Sequence, residues 1–194
     1  MAYPVLSLEE ITQKISQGIT LSRYQDNEGS SEQVVNTRNL EYLHIEGELN
    51  IVKLDASNLA QYRLCAGDVV VTIRGTPLKA SVVAKEVEGT LVGQNLAVLR
   101  LSAHIHPVYL AIVMRSKWLE LQLAPLYSQS SGTRLIKISQ LRDMKIPLPD
   151  LDTQNKIAQL FIAAERYTRS TLEVLAIRNN LTEFALSQIL EGRQ

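Results

Sequence analysis

Residues 144–160 read MKIPLPDLDTQNKIAQL, and this stretch divides the chain into two regions. Pro147 and Pro149 each favour an extended conformation in the residue before them, so no helix is expected to cross this point. Helical composition follows the prolines, and short β-branched runs precede them. The stretch therefore predicts a first region over residues 1–149 and a second over residues 150–194.

The second region has the composition of a long helix. Asp152 is its natural N-cap, and neither glycine nor proline follows before Gly192. An unbroken helix of this length would span about 60 Å, and the alternative is two helices divided near Asn179 and Asn180. Its apolar residues form a broad stripe, which predicts either a partner helix or a helical pair folded onto the chain's own domain. The predicted interface residues are Leu160, Phe161, Tyr167, Leu172, Val174, Leu175, Leu181, Leu186 and Ile189.

The first region is predicted to be rich in β-structure. Residues 69–73 are a short β-branched run typical of a buried strand, and further strands are expected at residues 81–84, 96–99 and 134–138. Together with helices, these strands predict an α/β (α+β) fold. In this fold a mixed, β-rich domain is followed by the C-terminal helix or helical pair.

Two helices and a loop are also predicted in the first region. Residues 7–15 should form a short helix that Ser7 caps, with Glu10 three residues later. Residues 24–32 are polar and should form a loop. A helix should begin at Pro107 and run to about residue 123, with Trp118 on its buried face.

Composition bounds the class of protein. At 194 residues, with 45% hydrophobic and 21% charged residues, the chain has the size and make-up of one folded domain with an appendage. The single cysteine, Cys65, excludes an internal disulfide framework and a cysteine-rich metal site. No apolar run reaches the roughly 18 residues that span a bilayer, and the N-terminus does not have the pattern of a signal peptide. We therefore expect a cytoplasmic protein.

Charge is balanced overall but unevenly distributed. The chain has 20 basic and 20 acidic residues. Residues 1–59 hold 4 basic and 9 acidic residues, and residues 60–150 hold 11 basic and 6 acidic residues. A uniformly basic nucleic-acid-binding surface is therefore excluded, although a basic face in the middle of the chain is compatible with phosphate contacts.

Motifs for catalysis are scarce. The sequence has no phosphate-binding loop, no dinucleotide-binding glycine pattern and no zinc-ligand spacing. His104 and His106 could suggest a metal pair, but no third ligand is near in sequence, so we interpret them as a loop pair in solvent. No catalytic residue and no metal site are therefore assigned.

Basic and amide side chains near predicted turns suggest DNA contact instead. Arg74 and Lys79 flank a turn at the end of a predicted strand, and Arg134 and Lys137 follow a polar loop. Such side chains contact phosphates, and arginine and glutamine can also read base edges. The alternative is that these are ordinary polar loops. The candidate DNA-binding residues are Arg74, Lys79, Gln129, Ser130, Thr133, Arg134 and Lys137.

Three segments together resemble the specificity subunit of type I restriction-modification systems. The first is LCAGDVVV at residues 64–71, followed by Gly75 and by SVV at residues 81–83. The second is VYLA at residues 108–111, followed by Trp118 and by SGT at residues 131–133. The third is MKIPLP at residues 144–149, followed by Gln154 and by IA at residues 157–158. The resemblance covers nearly the whole chain.

The resemblance implies a non-catalytic subunit that recognises a DNA sequence. Residues 1–149 would be a target-recognition domain, and residues 150–194 a spacer and dimerisation helix that docks a DNA methyltransferase subunit. The restriction subunit would be a further partner. The chain would hold no cofactor, since S-adenosylmethionine would belong to the methyltransferase.

The family usually has two recognition domains and two spacer helices, and this sequence contains no internal repeat. We therefore expect a half subunit that pairs as a homodimer through its long helix. The alternative is an interaction protein that binds the methyltransferase, or a full specificity subunit, without binding DNA itself.

Overall fold

The computed structural model describes residues 3–75, 78–127 and 135–192. Its contacts divide the chain into two units, Met1–Ala158 and Gln159–Gln194. The elements in chain order are β1 Val5–Ser7, α1 Leu8–Ile11, β2 Thr12–Gln17, β3 Gln25–Val35, β4 Asn50–Leu54, β5 Val69–Thr72, β6 Ala80–Val82, β7 Leu91–Val92, β8 Leu96–Leu101, α2 Pro107–Met114, α3 Lys117–Tyr127, α4 Ile138–Asp143, β9 Lys145–Pro147 and α5 Leu151–Leu190.

The strands of the described residues form three sheets in the first unit. The largest has the order β2-β8-β5-β6, and all its neighbouring strands are antiparallel. Strand β3 lies between β4, which is antiparallel to it, and β7, which is parallel. Strands β1 and β9 form an antiparallel pair. With α2 packed on β5 and β6, this arrangement confirms the predicted mixed α/β fold.

The core joins the larger two sheets. Strand β5 is buried along its whole length, as a β-branched run between two neighbouring strands should be. Its side chains meet residues of β3, β7 and β8 in one apolar cluster. That cluster contains Val35, Leu40, Ile45, Leu64, Val70, Val83, Val92, Leu96 and Val98. The strands predicted at residues 69–73, 81–84 and 96–99 are thus confirmed as β5, β6 and β8, with shifted ends.

The helix predicted for residues 7–15 is only partly present. Its start is confirmed, because the Ser7 main-chain N–H donates to the Glu10 carboxylate at 2.7 Å and the Glu10 N–H donates back to Ser7 Oγ at 3.4 Å. The helix ends at Ile11, and Ile15 lies in β2 opposite Leu99 of β8. Pairing with β8 buries Ile15 in the sheet, and this tertiary contact outweighs the local helical pattern.

Two further predictions in the first region are wrong. Residues 24–32 belong largely to strand β3 rather than to a loop. Gln25 and residues 30–32 pair with β4, with a shift of register between Gln25 and Ser30, while most of the polar side chains stay in solvent. Of the strand predicted at residues 134–138, the described part shows an isolated bridge between Leu135 and Arg74, and Ile138 already begins α4.

The helix predicted from Pro107 is two helices. Helix α2 ends at Met114, and Ser116 Oγ accepts the Leu119 N–H at 3.2 Å at the start of α3. This break reorients the second helix, so Trp118 is 47% exposed instead of buried.

Helix α5 is continuous through Asn179 and Asn180, so the two-helix alternative is wrong. Its N-cap is Asp150 rather than Asp152. The Thr153 N–H donates to Asp150 Oδ1 at 2.9 Å, and this hydrogen bond lowers the pKa of the Asp150 carboxyl group. Asp152 lies within the first turn and pairs with Lys156. None of the helices in the described ranges is long and apolar enough to cross a membrane.

Candidate nucleic-acid interface

Three chain segments meet at one end of the four-stranded sheet. Beyond the end of β5, the Ile73 N–H donates to the Asn95 carbonyl at 2.9 Å. The Ile73 carbonyl accepts the Ile136 N–H at 2.8 Å. The turn before β8, the segment that follows β5 and the segment that leads into α4 are therefore joined by main-chain hydrogen bonds.

This sheet end brings together part of the predicted DNA-binding set. Arg74 is exposed and bridges to Leu135 through the main chain, and exposed Lys137 stands at the start of α4. Lys79 lies nearby across the β5–β6 connection, since its carbonyl accepts the Thr72 N–H. The remaining predicted residues, Gln129, Ser130, Thr133 and Arg134, lie outside the described residues, and the DNA-binding role of the whole set stays a prediction.

Lys79 differs from the other two cations. Its ammonium group donates to the Glu41 carboxylate, and its side chain is only 22% exposed. Part of its charge is therefore already neutralised within the protein, which leaves Arg74 and Lys137 as the more accessible of the three described cations in this set.

Two other arginines of the basic middle segment hold the fold together. Arg63 forms a two-bond fork with Glu32, with N–O distances of 2.9 and 2.8 Å, and this hydrogen bonding lowers the pKa of the Glu32 carboxyl group. Arg100 forms a second fork with Asp68, at 3.0 and 2.8 Å. The Asp68 carboxylate also accepts the Cys65 N–H at 2.9 Å, which stabilises the turn before β5. The net positive charge of residues 60–150 is therefore larger than the positive charge that is available to bind phosphates.

A polar groove of about 440 Å³ lies beside this sheet end. Its lining comes from four separate segments, around residues 19–22, 36–38, 50 and 93–96. Sequence reasoning missed these residues because no two of the segments are neighbours along the chain. The one available signal was the pair of amides, Gln94 and Asn95, directly after Gly93 and between two apolar runs.

The two histidines considered as metal ligands occupy different environments. His104 is exposed, whereas His106 is partly buried, and burial lowers the pKa of its imidazole. Its main-chain N–H donates to the buried side chain of Gln154 at 2.7 Å. Within the described residues, no group of three potential ligands is arranged to hold a metal ion.

The predicted interface residues of α5 are all exposed. Their exposed fractions run from 39% for Leu175 to 76% for Tyr167 and Ile189. Within α5, only Gln154 and Ala158 of the described residues are buried. The second unit therefore presents a long apolar face to solvent, of the kind that marks an interaction surface.

Comparison with known proteins identifies the family of this chain. Residues 3–182 match the model of the type I restriction modification DNA specificity domain. The chain belongs to this family. A protein of Methanocaldococcus jannaschii assigned as the MjaX type I restriction enzyme specificity subunit is 25% identical over 162 residues, which are 81% of this chain and 38% of that protein. This chain thus spans about two fifths of the length of this curated relative.

Solved structures share the fold of this chain. The HsdS subunit from Thermoanaerobacter tengcongensis matches with a TM-score of 0.69 and 18% identity, covering 94% of this chain and 47% of that one. The S subunit of a type I restriction-modification system from M. genitalium matches with a TM-score of 0.60 and 12% identity, covering 99% of this chain and 46% of that one. The resemblance inferred from sequence is confirmed.

Proposed function

We propose that the chain is a DNA-recognition subunit of a type I restriction-modification complex. The observation that carries this proposal is the family match over residues 3–182, which includes both the β-rich unit and most of α5. Residues 1–149 serve as the target-recognition domain, and residues 150–194 as the spacer and dimerisation helix. Because its substrate is cellular DNA, the complex works in the cytoplasm.

In this proposal the chain supplies specificity and its partner supplies chemistry. A DNA methyltransferase subunit holds S-adenosylmethionine and transfers the methyl group, while this chain selects the site. The restriction subunit is a further partner of the same assembly. One of the similar solved chains comes from work on complex assembly of a type I R-M system, which supports this setting.

The exposed face of α5 is proposed to pair with a second copy of the chain. Its predicted interface residues cover about half of the helix circumference, counted at 3.6 residues per turn. An apolar face of this length in water favours association. Two copies joined in this way place two recognition domains in one assembly, which suits a DNA site read in two halves.

The DNA-recognition role is tested by sequencing the methylome of cells that produce the chain together with the methyltransferase subunit encoded next to it. We expect methylation at one defined sequence, which disappears when the chain is deleted. Methylation that stays unchanged without the chain would contradict the proposal. A chain that co-purifies with the methyltransferase but adds no sequence preference would favour the interaction-protein alternative.

The helix pairing is tested by the double variant Leu175→Glu and Leu186→Glu. Burying two unpaired charges at an interface costs several kcal/mol, enough to separate a micromolar dimer. Light scattering should therefore report a folded monomer, whereas the control Asn180→Glu with Ser187→Glu, two exposed polar sites outside the stripe, should leave the dimer intact. A wild-type chain that is monomeric at tens of micromolar, or a double leucine variant that stays dimeric, would overturn this pairing.

A further inference from the structure

The polar groove beside the sheet end has a preformed arginine site. Arg38 donates through Nη2 to the Glu48 carbonyl at 3.3 Å and to Asn50 Oδ1. The loop that carries Arg38 is anchored by Asn39, which is only 2% exposed. Asn39 Nδ2 donates to the Glu48 carbonyl at 3.1 Å, and Asn39 Oδ1 accepts the Asn36 N–H at 3.0 Å. The guanidinium is therefore held in place from one side.

Those contacts occupy Nη2, which both forks of a guanidinium share, and leave Nε and Nη1 available as separate donors. Arginine has five N–H donors, and both contacts of Arg38 use Nη2. The described residues provide no acceptor for its Nε and Nη1 donors, and Arg38 is exposed. Three donors of a pre-oriented, planar group are thus unpaired among the described residues, on a side chain that lines the groove.

Two amide side chains share the groove. Gln94 and Asn95 are exposed, and their backbone is fixed, because the Gln94 carbonyl accepts Gln17 Nε2 at 2.8 Å and the Asn95 carbonyl accepts the Ile73 N–H. Over the described ranges, neither side-chain amide has a hydrogen-bond partner. A rigid turn therefore presents two unpaired amides.

This set of groups matches the chemistry of base edges better than that of phosphates. Guanine presents the acceptors O6 and N7, either of which an arginine N–H can reach, and asparagine or glutamine pairs with adenine N6 and N7. Among the described residues that line the groove, Arg38 is the charged one and none is acidic. Exposed Arg74 follows Ile73 directly, so a cation suited to phosphate contact lies next to the amide turn.

We infer that this groove reads base edges of double-stranded DNA. Arg38 recognises a guanine, and the amides of Gln94 and Asn95 recognise a neighbouring base. This inference rests on the proposed DNA-recognition function and assigns its specificity-determining residues. Asn39 acts as a positioning residue, since its contacts fix the loop rather than reach the DNA.

The test is selection from a pool of double-stranded DNA with a randomised central segment. The full chain, purified with its neighbouring methyltransferase subunit, is compared with Arg38→Lys, Arg38→Ala and the double variant Gln94→Ala with Asn95→Ala. The matched control is Arg142→Ala, which removes an exposed arginine from α4, beside β2 residues at the other end of the sheet. Circular dichroism verifies that each variant is folded.

Both Arg38 variants should lose preference for one G·C pair by about 5-fold, the lower end for a base contact, while other positions keep theirs. The lysine variant matters most, because it keeps the charge but loses the planar group that the Glu48 carbonyl and Asn50 hold in place. Its affinity should keep the wild-type dependence on salt concentration. The amide variant should relax a different position, and Arg142→Ala should relax none.

Three other outcomes would overturn the inference about the groove. If Arg38→Lys behaves as wild type while Arg38→Ala weakens binding to all sequences equally, Arg38 contacts a phosphate and the inference is wrong. If all groove variants keep the wild-type preference, DNA recognition stands and the groove is not its site. If the wild-type complex enriches no sequence, the proposed function fails and this inference fails with it.

Discussion

Replacing Gln154 by alanine tests the hydrogen bonds that fix the first turn of α5. The Gln154 side chain is fully buried. Its Oε1 accepts the His106 N–H at 2.7 Å, and its Nε2 donates to the Pro149 carbonyl at 2.8 Å and to the His104 carbonyl at 3.2 Å. One side chain thus links the proline-containing segment, the loop before α2 and the start of α5.

The magnitude follows from the groups left without a partner. Truncation to alanine orphans one main-chain N–H and two carbonyls. Each buried polar group without a partner costs about 1–3 kcal/mol. Because His104 is exposed, its carbonyl can recover a hydrogen bond from water. The two groups that stay without a partner then cost about 2–6 kcal/mol together, and we expect the free energy of unfolding to fall by about 3 kcal/mol, near the lower end of this range.

Urea unfolding followed by circular dichroism measures this loss. With a urea dependence of about 2 kcal/mol per molar, the midpoint should fall by about 1.5 M. Gln154→Glu should also destabilise, since an ionised carboxylate cannot donate to the two carbonyls. The matched control is Gln159→Ala on the same helix, where the glutamine is exposed and the change should stay within about 0.5 kcal/mol. A Gln154→Ala midpoint equal to that of the control would refute the reasoning.

Two more predictions concern stability. Gly18→Ala should destabilise the chain by about 1–3 kcal/mol in the same urea assay, because a Cβ there would lie 2.3 Å from the Gly93 carbonyl oxygen. The control is Gln13→Ala, at an exposed site of β2, which should have little effect. Burial lowers the pKa of His106 in the folded state, so the unfolded chain takes up its proton first and the wild type should lose stability as the pH falls below about 6.5. His106→Gln should flatten this decline between about pH 7 and 5, and His104→Gln should not; equal slopes in both variants would contradict the assignment.

Local signals in the sequence were sufficient for several features of the fold. The Ser7–Glu10 capping box and the buried strand β5 were predicted correctly, because capping and β-branched burial depend on neighbouring residues. The prolines at 147 and 149 also marked the approach to a long helix, although its N-cap is Asp150, two residues before the predicted Asp152. The order of family-like segments identified the specificity domain.

Tertiary structure decided what these local signals could not. Ile15 lies in a strand because β8 pairs with it, and residues 25–35 form β3 because β4 and β7 supply hydrogen-bond partners from elsewhere in the chain. The groove follows the same rule, since Arg38 is oriented by Asn50 and lines the same groove as Gln94 only in the folded chain. The sequence by itself determined the helix-forming and strand-forming segments and the family; the tertiary structure decided which polar side chains share a surface, because those distances depend on long-range strand pairing that no local pattern records.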